Sequence, residues 1–126
     1  FETTEEHIEM LQRIYEHLNE EGVFIFDFFN ANKVRAQGVE DRMVSKDGAD
    51  FHITKEIKDN RIIKHIRIQK DTARLDFQES VTLFAPNEIV EMFEAIGFKN
   101  IQKYGDYDLG NFDSENSDRL IIICSK

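Results

Sequence analysis

Ile8, Leu11, Ile14, Tyr15 and Leu18 recur at helical spacing near the start of the chain, which predicts a helix with one apolar stripe. Glu5, Glu6, Glu9, Glu16 and Glu20 fall mainly off that stripe. The first three form a solvated face near the helix N-terminus, where negative charge is favourable, and imply no metal. Thr3 and Glu6 have the spacing of a capping box, in which each side chain satisfies a backbone N–H of the other. Gly22 fits the left-handed position that closes a helix. Val23–Phe29 (VFIFDFF) then runs apolar apart from Asp27. A strand of that kind is expected in a parallel sheet, buried on both faces by helices. Helix, glycine and apolar strand make half of an α/β unit.

The period changes in the middle of the chain. Asp50 to Phe84 alternates as half-exposed strands do. Phe51, Ile53, Lys55 and Ile57 share one face of a first strand, and Ile62, Lys64, Ile66 and Ile68 one face of a second. Leu75, Phe77, Val81 and Leu83 do so in a third, with Glu79 on the same side. Asp59-Asn60 suits a tight hairpin turn, and Asp71-Thr72 gives a weaker turn signal. Three antiparallel strands with one wet face form an appendage laid over something else.

The last block returns to α/β. Pro86 is pre-set for the first turn of a helix. Ile89, Phe93 and Ile96 make its buried stripe, and Gly97 ends it. Phe98–Tyr104 is a short strand, Gly105–Asp118 a polar loop, and Arg119–Cys124 a last apolar strand. The two strands can pair antiparallel across the loop. The chain therefore divides into blocks 1–30, 50–84 and 85–126 of one partial domain, 1–126.

Composition narrows the partners. The chain has 126 residues, 40% hydrophobic and 33% charged, with a formal net charge of −9. Nucleic acid and anionic membrane both require a basic face, which this balance argues against. No apolar run approaches the roughly 20 residues of a membrane span. The single cysteine, Cys124, rules out an internal disulfide and suits a reducing compartment, so cytoplasm is expected. No Cys/His cluster has zinc-ligand spacing. The chain opens at Phe1 on a helix-start signal, which is expected more often of a fragment of a larger protein than of a complete protein after processing.

The order of these pieces resembles the C-terminal half of class I methyltransferases that use S-adenosylmethionine. The matching segments are LQRIYEHLNEEGVFIFDFFN, LFAPNEIVEMFEAIGFKNIQKYGDYD and SDRLIIICSK. The resemblance implies the C-terminal part of a Rossmann-like sheet, with its last strand antiparallel, and an inserted antiparallel β-lid over a small-molecule substrate. It also implies methyl transfer from S-adenosylmethionine to a nucleophilic atom. The family's cofactor site lies in the other half: a glycine-rich turn and an acidic residue at strand ends. The six glycines here are scattered and form no such turn, so no cofactor-binding residue is expected and the fragment alone is expected to bind no cofactor. The strand that would precede Val23–Phe29 is missing. Its exposed edge is expected to pair with another copy of the chain, giving a homo-oligomer. The competing reading is a non-enzymatic half-domain, either an interaction module or an inactive truncation product. An unrelated α+β module would instead keep the last two strands away from Val23–Phe29.

Two groups of residues are candidates for substrate contact. Phe29 and Asn30 lie at the carboxyl end of the first strand, where open α/β sheets bind ligands. The structural alternative is that Asp27 pairs with a nearby base or caps a backbone N–H, while Asn30 opens a loop. By resemblance, Tyr107 and Arg119 flank the loop after the sixth strand of the family's sheet, with Tyr104 and Asp106 nearby. Their structural alternative is an ion pair from Arg119 to Asp106 or Asp108. His52 and His65 fall on facing strands of the insert and read as exposed strand residues or as a proton-transfer pair. No residue stands out as a catalytic base.

Overall fold

The structure is a computed structural model that describes residues 3–126; Phe1 and Glu2, the start of the first predicted block, lie outside the described residues. Helix α1 (Thr4–His17) is capped by Thr3, whose hydroxyl accepts the Glu6 N–H at 3.2 Å. Leu11 faces the core, Ile14, Tyr15 and Leu18 are half-buried against it, and Ile8 is exposed. The helix ends earlier than Gly22 suggests. Leu18 is its C-cap, and the left-handed residue of the following turn is Glu21 (φ 66°).

Strand β1 (Val23–Phe29) leads through Asn30 into a short helix, α2 (Ala31–Gln37). Helix α3 (Pro86–Ile96) starts on proline and stops at Gly97, whose φ of 114° disfavours any side chain. Strands β6 (Lys99–Tyr104) and β7 (Arg119–Ser125) follow. Together these elements make one compact unit, running up to Ala36 and resuming over Phe84–Lys126. Its sheet has the order β1-β7-β6, and both ladders are antiparallel. The last two strands thus pair as expected, and β7 lies directly beside β1, which argues against the unrelated α+β module.

The register sorts β1 by face. Phe24, Phe26 and Phe28 oppose Cys124, Ile122 and Leu120, and they join a core with Leu11, Ile89, Phe93 and Phe98. Phe93 is the centre of that core. It is fully buried, with the rings of Phe24, Phe26 and Phe98 at centroid distances of 6.0, 5.3 and 5.2 Å. Cys124 is also buried, and desolvation pushes its thiol up to about 11. On the other face, Val23 and Ile25 are 60% and 63% exposed. The expectation that β1 is buried on both faces is therefore corrected. Among the described residues β7 is the only strand paired with β1.

The second compact unit is Gln37–Leu83. It holds β2 (Glu40–Lys46), β3 (Ala49–Lys58), β4 (Arg61–Lys70) and β5 (Ala73–Thr82) as an antiparallel sheet in sequence order. Asp59 and Asn60 both have positive φ, as a two-residue hairpin turn requires. The three expected strands are present with the expected faces; β2 is a fourth. Directly opposed residues share a face. Ile57, Ile62 and Val81 form one apolar row. A row of Glu40, Lys55, Lys64 and Glu79 follows, and Ile53, Ile66 and Phe77 come next. The opposite face carries His52, Thr54, His65, Arg67 and Asp76, which line a shallow polar depression.

Candidate functional site

Asp27 and Phe29 sit at the carboxyl end of β1, on the face away from the aromatic core. Phe29 is in register with Arg119, and Asp27 with Ile121. Arg119 and Asp27 are therefore diagonal neighbours on one face, within reach of a long side chain. Arg119 Nε donates to Asp27 Oδ1 at 2.5 Å. The phenol of Tyr107 donates to the other carboxylate oxygen, Oδ2, at 2.9 Å. The Arg119 guanidinium also lies 5.6 Å from the centre of the Tyr107 ring.

This geometry corrects the expected Arg119–Asp106 or Arg119–Asp108 pair. Asp106 is turned onto its own loop, where Oδ1 accepts the N–H groups of Asp108 and Gly110 at 2.9 and 3.0 Å. The base expected near Asp27 is Arg119 itself. Both carboxylate oxygens of Asp27 are engaged. Phe29 is half-buried, with its ring centroid 4.0 Å from that of Phe28.

The loop from Gly105 to Asp118 holds Tyr107 in place through its own hydrogen bonds. Asp113 Oδ1 accepts from the backbone of Glu115 and Asn116 at 3.0 and 2.9 Å. The Asn116 and Glu115 N–H groups hold the Asp113 carboxyl below its usual range. Gly105 meets the loop so closely that a Cβ there would lie 2.3 Å from Ser117 Oγ. Lys33 of α2 pairs with Asp118, and this hydrogen bond and its charge lower the Asp118 carboxyl.

Asn30 ties the loop to β1. It is fully buried, and its Nδ2 donates to the carbonyls of Ser114 and Ser117 at 3.0 and 2.9 Å. Its Oδ1 accepts the Asn32 N–H at 3.2 Å, and its own N–H reaches the Asp118 carbonyl at 3.2 Å. These hydrogen bonds let Asn30 position the loop. Sequence reasoning missed α2 and its Lys33 anchor, for which ANKVRAQ gives only a weak helical signal.

Tyr107 is titrated by its neighbours. Its hydrogen bond to Asp27 raises the phenol above its ordinary value, as does desolvation, and the Arg119 charge opposes both. A folded value above the unfolded one means that the contribution to stability is complete below the ordinary phenol range. It is lost as pH rises through the raised value. Ultraviolet titration at the tyrosinate band, taken as the difference from Tyr107→Phe, is expected to show this late ionisation. Asp27→Asn is expected to bring it down. An unchanged titration in Asp27→Asn would rule out the hydrogen bond as the cause.

The turn from β1 to α2 contains no glycine, and its N–H groups at Asn30 and Asn32 are already paired. Among the described residues, no group of three His, Cys, Asp or Glu side chains could hold a metal ion. No helix among them is long and apolar enough to cross a membrane.

The sequence matches no protein-family model and no curated protein. Solved structures do resemble it. An S-adenosylmethionine-dependent methyltransferase from Clostridium acetobutylicum ATCC 824 matches with a TM-score of 0.85 at 17% identity, over 98% of this chain and 52% of its own. The CcbJ methyltransferase from Streptomyces caelestis matches with a TM-score of 0.79 at 18% identity, over 96% and 53%. The sugar N-methyltransferase KedS8 from Streptoalloteichus sp ATCC 53650 matches with a TM-score of 0.63 at 16% identity, over 99% and 50%. The chain spans about half the length of these structures. With β7 antiparallel beside β1 and a sheet inserted between α2 and α3, the chain has the fold of the C-terminal half of a class I S-adenosylmethionine-dependent methyltransferase.

Proposed function

We propose that this chain is the substrate-side part of an S-adenosylmethionine-dependent methyltransferase acting on a small molecule, and that the cofactor is bound by residues outside it. The observation that carries the reading is the open edge of β1 in a sheet that otherwise follows the methyltransferase order. The sugar N-methyltransferase among the structural neighbours favours a small polar acceptor. In this reading Phe29, Tyr107 and Arg119 face the substrate at the end of β1, and Asn30 holds the loop that carries Tyr107. The unit Gln37–Leu83 is an insert in a partial domain in this reading. Alignment of the reactants supplies the rate in this reading. The single free cysteine suits a cytoplasmic location in this reading.

The open edge also supports a second reading, an isolated half-domain that acts by association. Val23 and Ile25 are large, apolar and wet, and an unpaired edge recruits strands from other chains. We propose that the isolated chain pairs with a second copy there.

Titration calorimetry of this chain with S-adenosylmethionine and S-adenosylhomocysteine is expected to show no binding heat while circular dichroism shows a folded chain. Micromolar binding would overturn the placement of the cofactor site. The product of the complete reading frame is expected to bind S-adenosylhomocysteine; if it does not, the methyltransferase reading fails.

A further inference from the structure

The guanidinium of Arg119 is fixed on two sides and open on a third. Nε donates to Asp27 Oδ1 at 2.5 Å, and the ring centre of Tyr107 lies 5.6 Å from the guanidinium carbon. Tyr107 is itself held by its bond to Asp27 Oδ2. The backbone N–H of Arg119 donates to the Gly105 carbonyl at 3.2 Å, so main chain and side chain are both anchored. The two Nη groups have no hydrogen-bond or ion-pair partner among the described residues. They form the edge of a rigid planar fork, which matches the two oxygens of a carboxylate. Because the fork is already held, less side-chain freedom is lost when it binds.

The acids nearby do not occupy that edge. Both oxygens of Asp27 are engaged, and Asp118 pairs with Lys33. The Arg119 side chain is 34% exposed, so a ligand can reach it. Phe29 stands directly opposite Arg119 in the ladder and offers an apolar surface to a carbon skeleton.

We infer that the Nη edge of Arg119 receives a carboxylate of the small molecule that binds at the end of β1, with Asp27 holding the fork in place. That this molecule is the methyl acceptor rests on the methyltransferase reading; the binding itself does not. Charge separates a carboxylate from a phosphate. The net charge of −9 repels a doubly charged anion twice as strongly as a singly charged one. Salt screens that field beyond about 8 Å, whereas a bidentate charged hydrogen bond acts at contact. The singly charged carboxylate is therefore the better match.

The test is two-dimensional NMR of the isotope-labelled whole chain, at a pH above the second ionisation of phosphate. Benzoate is the probe, benzamide its uncharged counterpart and inorganic phosphate its doubly charged rival. Benzoate is expected to shift the amide signals of Phe29 and Tyr107 saturably, and to bind at least about 10-fold more tightly than benzamide. Arg119→Lys keeps the charge but loses the fork, and is expected to weaken benzoate at least about 10-fold. Arg119→Gln takes its place if circular dichroism shows that the lysine variant loses structure. Asp27→Leu removes a negative charge, so charge alone predicts tighter binding. Release of the fork predicts binding at least about threefold weaker, which is the expected result. Equal affinity for benzoate and benzamide, unchanged binding in the Arg119 variant, tighter binding in Asp27→Leu, or phosphate bound more tightly than benzoate each overturns the inference. None of these titrations involves S-adenosylmethionine. Their failure leaves the methyltransferase reading standing, and a complete protein that binds no S-adenosylhomocysteine leaves the fork standing.

Discussion

Phe93→Ala is expected to destabilise the chain by about 3–5 kcal/mol, the range for deleting a buried aromatic side chain. Phe93 is fully buried and meets three other phenylalanine rings, two from β1 and one just after α3. Those rings are fixed by the β1–β7 register and by the Gly97 turn, so the cavity cannot close without moving both. A total stability of about 5–15 kcal/mol is usual for a domain, so this one change removes a large part of it. Urea unfolding followed by circular dichroism measures the effect. Phe93→Leu keeps most of the volume and is expected to lose clearly less. A loss under about 1 kcal/mol in Phe93→Ala would mean that α3 does not pack on β1 as described.

The second large effect is expected from Asn30→Asp, which changes almost no volume. The native amide gives two hydrogens to the carbonyls of Ser114 and Ser117. A carboxylate has none to give, and it sets negative charge against two carbonyl oxygens. Each orphaned buried group costs about 1–3 kcal/mol, so a deficit of about 2–6 kcal/mol is expected near neutral pH. Limited proteolysis within 105–118 is expected to accelerate, because Asn30 ties that loop down. The pH dependence has a defined sign. Burial among acceptors raises the new carboxyl above its unfolded value, so the deficit shrinks when the group is protonated and grows as pH rises through its folded value. A deficit that does not vary with pH would mean that volume or backbone, not charge, is responsible.

Much of the fold is legible because its signals are local. Pro86, Gly97 and the stripe of Ile89 and Phe93 define α3. The period-2 alternation sets the faces of β3, β4 and β5, and the register agrees. Strand β2 is harder to see. EDRMVSK has only Met43 and Val44 as apolar residues, at adjacent positions, so its alternation is masked. The Asp47-Gly48 pair was its signal, since both residues take positive φ between β2 and β3 and Asp-Gly favours a two-residue hairpin turn.

The candidate site was only partly legible. Arg119 was expected to pair with an acid close in sequence, but its partner is on β1. That partner follows from a ladder between distant strands, and no local pattern encodes it. Asn30 has a similar explanation: as a residue type it fits a loop start or a ligand contact equally well, and its bonds to the Ser114 and Ser117 carbonyls reach residues far away in sequence. The apolar run of β1 predicted burial on both faces, because a pattern of side chains does not reveal which neighbours a strand has.

The pairing of β1 has a consequence for how the polypeptide matures. Asp27 and Arg119 are 92 positions apart in sequence, so β1 leaves the ribosome long before the strand it must pair with. Between them come β2 to β5, each paired only with its sequence neighbours. Such hairpins have low contact order and close quickly. The insert can therefore fold during synthesis while VFIFDFF waits as an uncovered aromatic segment, the kind of transient exposure that draws chaperones or aggregation. Substitutions that slow translation or folding between Ala85 and Arg119 would lengthen that interval without touching any native contact.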